Sequence, residues 1–166
     1  MKMGVRIIVD SASDIALDFA NQNNIAFVPL KTNLGGVEYR DGIDILPDVF
    51  FEKLEQNKEL AHTSQVNASD FSEVFEQVVA GGDEAVVITL SSGLSGTCQS
   101  AVVASEGYEG KVFVVDSLSA TAGEQVLCIT RSSFAIWAKR HAKYMKSFAP
   151  SEIVSVCWFV LKRLSI

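Results

Sequence analysis

Ala85-Val86-Val87-Ile88-Thr89-Leu90-Ser91-Ser92-Gly93-Leu94-Ser95-Gly96-Thr97 is the stretch on which the fold turns. Its first half, Ala85–Leu90, is a short, nearly continuous run of β-branched and apolar residues. That is the pattern of a strand buried on both faces, as in a parallel sheet. Its second half has two glycines and several hydroxyls, and it opens a helical pattern over Gly96–Ala104. A strand feeding a helix through a tight turn is the first half of a βαβ unit.

Three further runs repeat the strand pattern, at Val5–Val9, Ile25–Leu30 and Lys111–Val115. Helical spacing recurs between them. Asp48–Gln56 groups Val49, Phe50 and Leu54, and Asp70–Val79 groups Phe71, Val74, Phe75 and Val78. Stripes of this kind belong to the core far more often than to a cofactor site. Asn33–Asp44, polar and glycine-rich, reads as a loop or a short irregular hairpin. The expected fold is therefore α/β, a single three-layer domain with a mainly parallel sheet.

The composition narrows function. In 166 residues, 48% are hydrophobic, which supports a sizeable core and argues against disorder. A formal net charge of −6 with no Lys/Arg stripe argues against a nucleic-acid partner, since phosphates require a basic footprint. Cys98, Cys128 and Cys157 are odd in number and form no CxxC, which suits buried thiols in a reducing, cytoplasmic setting. The late apolar run from Ile153 to Leu161 is short of the roughly 20 residues of a membrane-spanning helix. The two histidines, His62 and His141, and the scattered cysteines show no metal-ligand spacing, so neither a metal nor a cofactor is expected.

The strand ends carry the chemistry. Asp10-Ser11, Ser91-Ser92 and Asp116-Ser117 each close a strand and precede a helix pattern. In an open parallel sheet, ligands bind beyond these carboxyl ends. The same residue types are preferred helix caps, so turn stabilisation is the plainer reading of Asp10, Ser11, Asp116 and Ser117. The Ser91–Thr97 turn is more pointed. Its hydroxyls, its glycines and the helix N-terminus behind it suit a small anion such as a carboxylate. It has neither GK[ST] nor GxGxxG, so a nucleotide is not indicated. His62-Thr63-Ser64-Gln65, read as a loop between two helices, could complete an oxyanion-binding ring. A nucleophilic serine is disfavoured. Around Ser95 the text Gly93-Leu94-Ser95-Gly96-Thr97 lacks the second glycine of a nucleophile elbow, and neither histidine has an acid partner in triad order.

With these residues in view, the chain resembles the DegV family. The match runs through Val9-Asp10-Ser11-Ala12-Ser13-Asp14, Val28-Pro29-Leu30, Tyr39-Arg40-Asp41-Gly42 and Thr63-Ser64-Gln65. It continues in Leu90-Ser91-Ser92-Gly93-Leu94-Ser95-Gly96-Thr97, Gln99-Ser100-Ala101 and Val115-Asp116-Ser117. The resemblance implies a fatty-acid-binding protein, not an enzyme, with the fold of that family's N-terminal domain. It implies a palmitate- or oleate-like ligand whose carboxylate is held by Thr63 and by Ser92 or Ser95, with Ser64, Ser91 and Thr97 as second choices. The alkyl tail would lie among apolar side chains of the interior. Some members present the acid to a separate fatty acid kinase, which makes such a kinase a candidate partner. Val66 stands where the family usually has proline, which implies a looser turn after Gln65.

The physical logic agrees. A tail of ~14 methylenes contributes on the order of 11 kcal/mol gross on burial, much of it offset by lost ligand freedom. The head group cannot be buried bare, and hydroxyls with helix N–H groups can satisfy it.

The resemblance fades near Ile129. Residues 1–129 are read as the fatty-acid-binding α/β domain and 130–166 as a divergent tail. That tail includes the basic stretch Lys139-Arg140-His141-Ala142-Lys143, and the expectation is a truncated or frame-shifted version of a longer protein. Two alternatives stay open: a serine-dependent acyl hydrolase or phosphotransferase using the Ser91–Thr97 turn, and a non-functional fragment.

Overall fold

The computed structural model describes residues 4–57 and 60–129. The expectations placed on 130–166, with His141 and Cys157, lie outside the described residues.

Among the described residues, four parallel strands form the central sheet: β1 (Val5–Asp10), β2 (Ala26–Val28), β6 (Glu84–Thr89) and β7 (Val112–Asp116), in the order β2-β1-β6-β7. Strand alternation sends neighbouring residues to opposite faces. Ile7, Val9, Val86, Ile88 and Val115 form one core with Ala20 of α1 (Leu17–Gln22) and with Leu127 and Cys128 of α5 (Ala122–Ile129). Ile8, Val28, Ala85, Val87 and Val112 form the other. That core includes Phe71, Phe75 and Val78 of α3 (Ala68–Ala80) and Ala101 and Ala104 of α4 (Thr97–Ser105). Helices thus cover both faces of the sheet, giving the expected three layers.

Three stretches refine the sequence reading. The run Ile25–Leu30 is not one strand. Pro29 cannot donate a ladder hydrogen bond, β2 stops at Val28, and the chain leaves for a second sheet. The second sheet is antiparallel, in the order β4-β3-β5, built from β3 (Lys31–Leu34), β4 (Val37–Arg40) and β5 (His62–Ser64). The segment 33–44 is therefore largely a regular hairpin. Gly35 and Gly36 make its two-residue turn with φ of +61° and +78°, the conformation that twists correctly into a hairpin and that glycine tolerates best. His62–Ser64, read as a loop, is the edge strand paired to β3. Helix α2 (Pro47–Gln56) follows the hairpin.

In the central sheet β1 is flanked by β2 on one side and β6 on the other, so chain order reverses between β1 and β6. This is the topological switch point at which open α/β sheets bind ligands. Among the described residues, no helix is long and apolar enough to cross a membrane.

Candidate functional site

The switch point is tied together by one buried carboxylate. Asp10 ends β1 fully buried. Its Oδ2 accepts the Leu90 N–H at 2.9 Å and its Oδ1 accepts the Ala12 N–H at 3.0 Å. Burial pushes its pKa up from 3.8 to about 6, against the two backbone N–H groups that favour the charged form. The other strand-end residues work the same way. Asp116 Oδ1 accepts from Ser92 N and Leu118 N, Ser11 Oγ accepts from Leu30 N, and Ser117 Oγ accepts from Ser119 N. All four are occupied in shaping the turns, as their capping chemistry suggests.

These turns present the Ser91–Thr97 segment. Ser91 is buried, and its Oγ accepts Gly93 N while its carbonyl accepts Leu94 N and Ser95 N. Its N–H bonds Ser119 O at 2.7 Å. Ser92 is exposed, and its hydroxyl has no hydrogen-bond partner among the described residues. Ser95, half-buried, accepts the N–H of Thr97, the first residue of α4, with Oγ at 3.2 Å. Cys98 N and Gln99 N, next in that turn, have no acceptor among the described residues, which leaves helix N–H groups facing the turn.

The second motif reaches this turn through its own tail. Thr97 is fully buried, and its Oγ1 accepts the Val66 N–H at 3.2 Å and lies 3.0 Å from Ser95 Oγ. Gln65 Nε2 donates to Ser100 Oγ at 3.1 Å. The two residues that follow β5 are therefore bonded to the first turns of α4. Thr63 is three residues from Val66, so their Cα atoms are at most about 11 Å apart.

Register separates the candidates on β5. Thr63 pairs with Thr32 and Ser64 pairs with Lys31. Directly opposed residues share a face and adjacent residues do not. Thr63 thus lies on the side of Thr32 and Leu34, which are buried, and it is open to solvent at the sheet edge. Ser64 points the other way, with His62. The structure brings the tail of β5, Ser95 and Thr97 together and uses Ser91 and Thr97 for the fold. It places Ser64 on the opposite face from Thr63.

Sequence reading missed Thr32, which becomes a neighbour of Thr63 only through the β3–β5 pairing. Lys31 stands across from Ser64, where it pairs with Glu38 at 3.5 Å.

A second buried acid lies in the first turn of α5. Glu124 is fully buried, and neither carboxyl oxygen has a hydrogen-bond partner among the described residues. Burial first, then the charges of Asp10 and Asp14, pushes its pKa from 4.5 to about 9. The Cys128 thiol one turn later is also pushed up, by burial first. Among the described residues no group of three or more His, Cys, Asp or Glu is arranged to hold a metal ion.

A family model described as "Uncharacterised protein, DegV family" matches residues 4–141. The chain belongs to the DegV family. The DegV domain-containing protein TTE1491 of Caldanaerobacter subterraneus subsp. tengcongensis is 32% identical over 161 residues, covering 96% of this chain and 54% of that one. Among solved structures, a DegV family protein from Thermus thermophilus, described for its fatty acid binding, superposes with a TM-score of 0.71 at 28% identity. That match covers 95% of this chain and 53% of the Thermus protein. The Streptococcus pneumoniae Fatty Acid Kinase (Fak) B3 protein, loaded with linoleic acid, shares the fold with a TM-score of 0.68 at 22% identity, over 93% of this chain and 53% of its own. This chain spans about half the length of each of these proteins.

Proposed function

We propose that this chain binds a long-chain fatty acid, with the carboxylate held by Thr63 and Ser95 and with Ser92 as a further hydroxyl. The observation that carries the reading is the relay Val66 N to Thr97 Oγ1 to Ser95 Oγ, which joins the two hydroxyl motifs at the switch point. Thr97 Oγ1 already accepts from Val66, so it can donate to Ser95 and leave the Ser95 O–H to donate outward. An anionic acceptor favours that direction, because each bond in such a chain polarises the next. The unpaired N–H groups of Cys98 and Gln99 add a helix N-terminus to the same anion.

The carboxylate would be met by neutral donors, and Lys31, paired with Glu38 on the far face of β5, takes no part. In this proposal the alkyl tail lies among apolar side chains of the interior. The Thermus relative supports the ligand class. A nucleophilic serine is not favoured, because the hydrogen-bond partners of Ser95 Oγ are Thr97 Oγ1 and Thr97 N and not a histidine. Presentation of the acid to a fatty acid kinase is part of this proposal, in line with the Streptococcus protein that shares the fold. So is a bacterial cytoplasmic location, which the buried free thiols of Cys98 and Cys128 suit.

Native mass spectrometry of the purified chain tests the reading. The expected result is a co-purifying palmitate- or oleate-like mass that is lost in Thr63→Ala and in Ser95→Ala. No retained acid in the parent chain, together with turnover of an acyl ester, would overturn it.

A further inference from the structure

Gly96 has an ordinary backbone, with φ −74° and ψ 1°, so conformation does not call for a glycine there. Space does. A Cβ built on Gly96 would fall within the Gln65 side chain, 2.8 Å from Cδ and 3.1 Å from Nε2. Real Cβ atoms do not approach other heavy atoms so closely. The Gln65 carboxamide crosses Gly96 on its way to Ser100 Oγ, 3.1 Å from Nε2, one turn into α4. Its chain neighbour Val66 bonds Thr97 Oγ1 at 3.2 Å. Two consecutive residues after β5 are thus fastened to the first turns of α4, one of them through a notch that only glycine leaves open. β5 needs this. It has three residues, all exposed, and among the described residues its only partner strand is β3. A short edge strand of that kind has little to fix its position.

We propose that Gln65 is a positioning residue, seated in the Gly96 notch, which holds Thr63 at a fixed place relative to Ser95. The inference rests on the fatty-acid reading and names the device that keeps its two hydroxyl motifs in register. Gln65 does not touch the acid in this account. Losing its bond to Ser100 loosens β5, and the acid then meets Thr63 and Ser95 in turn instead of together.

The test is a mutant cycle read by displacement of cis-parinaric acid with palmitate. Gln65→Ala and Gly96→Ala are each expected to weaken palmitate about tenfold, the equivalent of one lost hydrogen bond. Ala at position 96 acts only by evicting Gln65, so the double variant should be no weaker than Gln65→Ala alone. A general effect of alanine on the start of α4 would instead add to the loss. Additive losses, or single variants that bind like the parent, overturn the proposal.

The Val66 amide supplies a readout that needs no ligand. Hydrogen exchange at Val66 N–H should accelerate in both single variants while the melting temperature stays near that of the parent. Unchanged exchange overturns the clamp even if palmitate binds. If the parent chain binds no palmitate but exchange accelerates as stated, the fatty-acid reading fails and the clamp stands. Should Gly96→Ala not fold, Gln65→Ala carries the exchange test by itself.

Discussion

Replacing Glu124 with glutamine should stabilise this protein, and more so as pH rises. Glu124 is fully buried with both oxygens bare, and its pKa rises from 4.5 to about 9. A tenfold change in proton affinity is worth about 1.4 kcal/mol. Its place in the first turn of α5 brings the helix dipole to bear on the charged form, but that is worth at most about 2 kcal/mol and loses to desolvation. Between the two pKa values the folded chain holds a proton that the unfolded chain has released. Stability therefore falls as pH rises through that window and levels off above about 9. At pH 7 the uptake of that proton costs about 3 kcal/mol, from about 1.4 kcal/mol for each pH unit above 4.5.

Asp10 adds a smaller fall of the same sign between 3.8 and about 6. Glutamine matches the shape and carries no proton to take up. Urea denaturation at pH 5, 7 and 8.5 reads the difference. The expected result is near-equal stability at pH 5 and a midpoint higher in Glu124→Gln by roughly 1–3 M at pH 7, with a wider gap at pH 8.5. A variant no more stable than the parent at pH 8.5, with the same pH slope, would refute the assignment of a buried, proton-holding Glu124.

Two further perturbations address the scaffold. Thr97→Val keeps the volume but leaves the buried Val66 N–H without its acceptor, and it should cost about 1–3 kcal/mol in urea unfolding. It should also weaken palmitate, and unchanged stability would contradict the relay. Gly36→Ala meets no atom within 4 Å, so only its φ of +78° is strained. It should cost about 1–2 kcal/mol, and Gly36→Asn less, as thermal unfolding of the pair would show.

The parallel sheet was legible because its strands are apolar on both faces. The readings Val5–Val9, Ala85–Leu90 and Lys111–Val115 miss the observed ends by one residue, because Asp10, Leu90 and Asp116 are strand-end residues whose pairing depends on neighbours. Helix α1, six residues with one buried position, offered too little periodicity to read. Strand β5 was hidden for a physical reason. His62, Thr63 and Ser64 are polar and exposed, and they form a strand only because the β3–β4 hairpin supplies a partner. The Ser91–Thr97 segment was legible as a hydroxyl-rich strand-to-helix turn from its glycines and serines. The division of labour within it was not. Ser91 and Thr97 are spent on holding the turn, and that depends on contacts with Ser119 and with Val66, which is 31 residues away from Thr97. The seating of Gln65 over Gly96 is a contact of the same long-range kind.

A crystal structure of the chain with palmitate would show where the head group sits. A carboxylate oxygen is expected within about 2.5–3.0 Å of both Thr63 Oγ1 and Ser95 Oγ, with the alkyl tail among apolar side chains. Palmitate bound with its head group remote from both hydroxyls would contradict it.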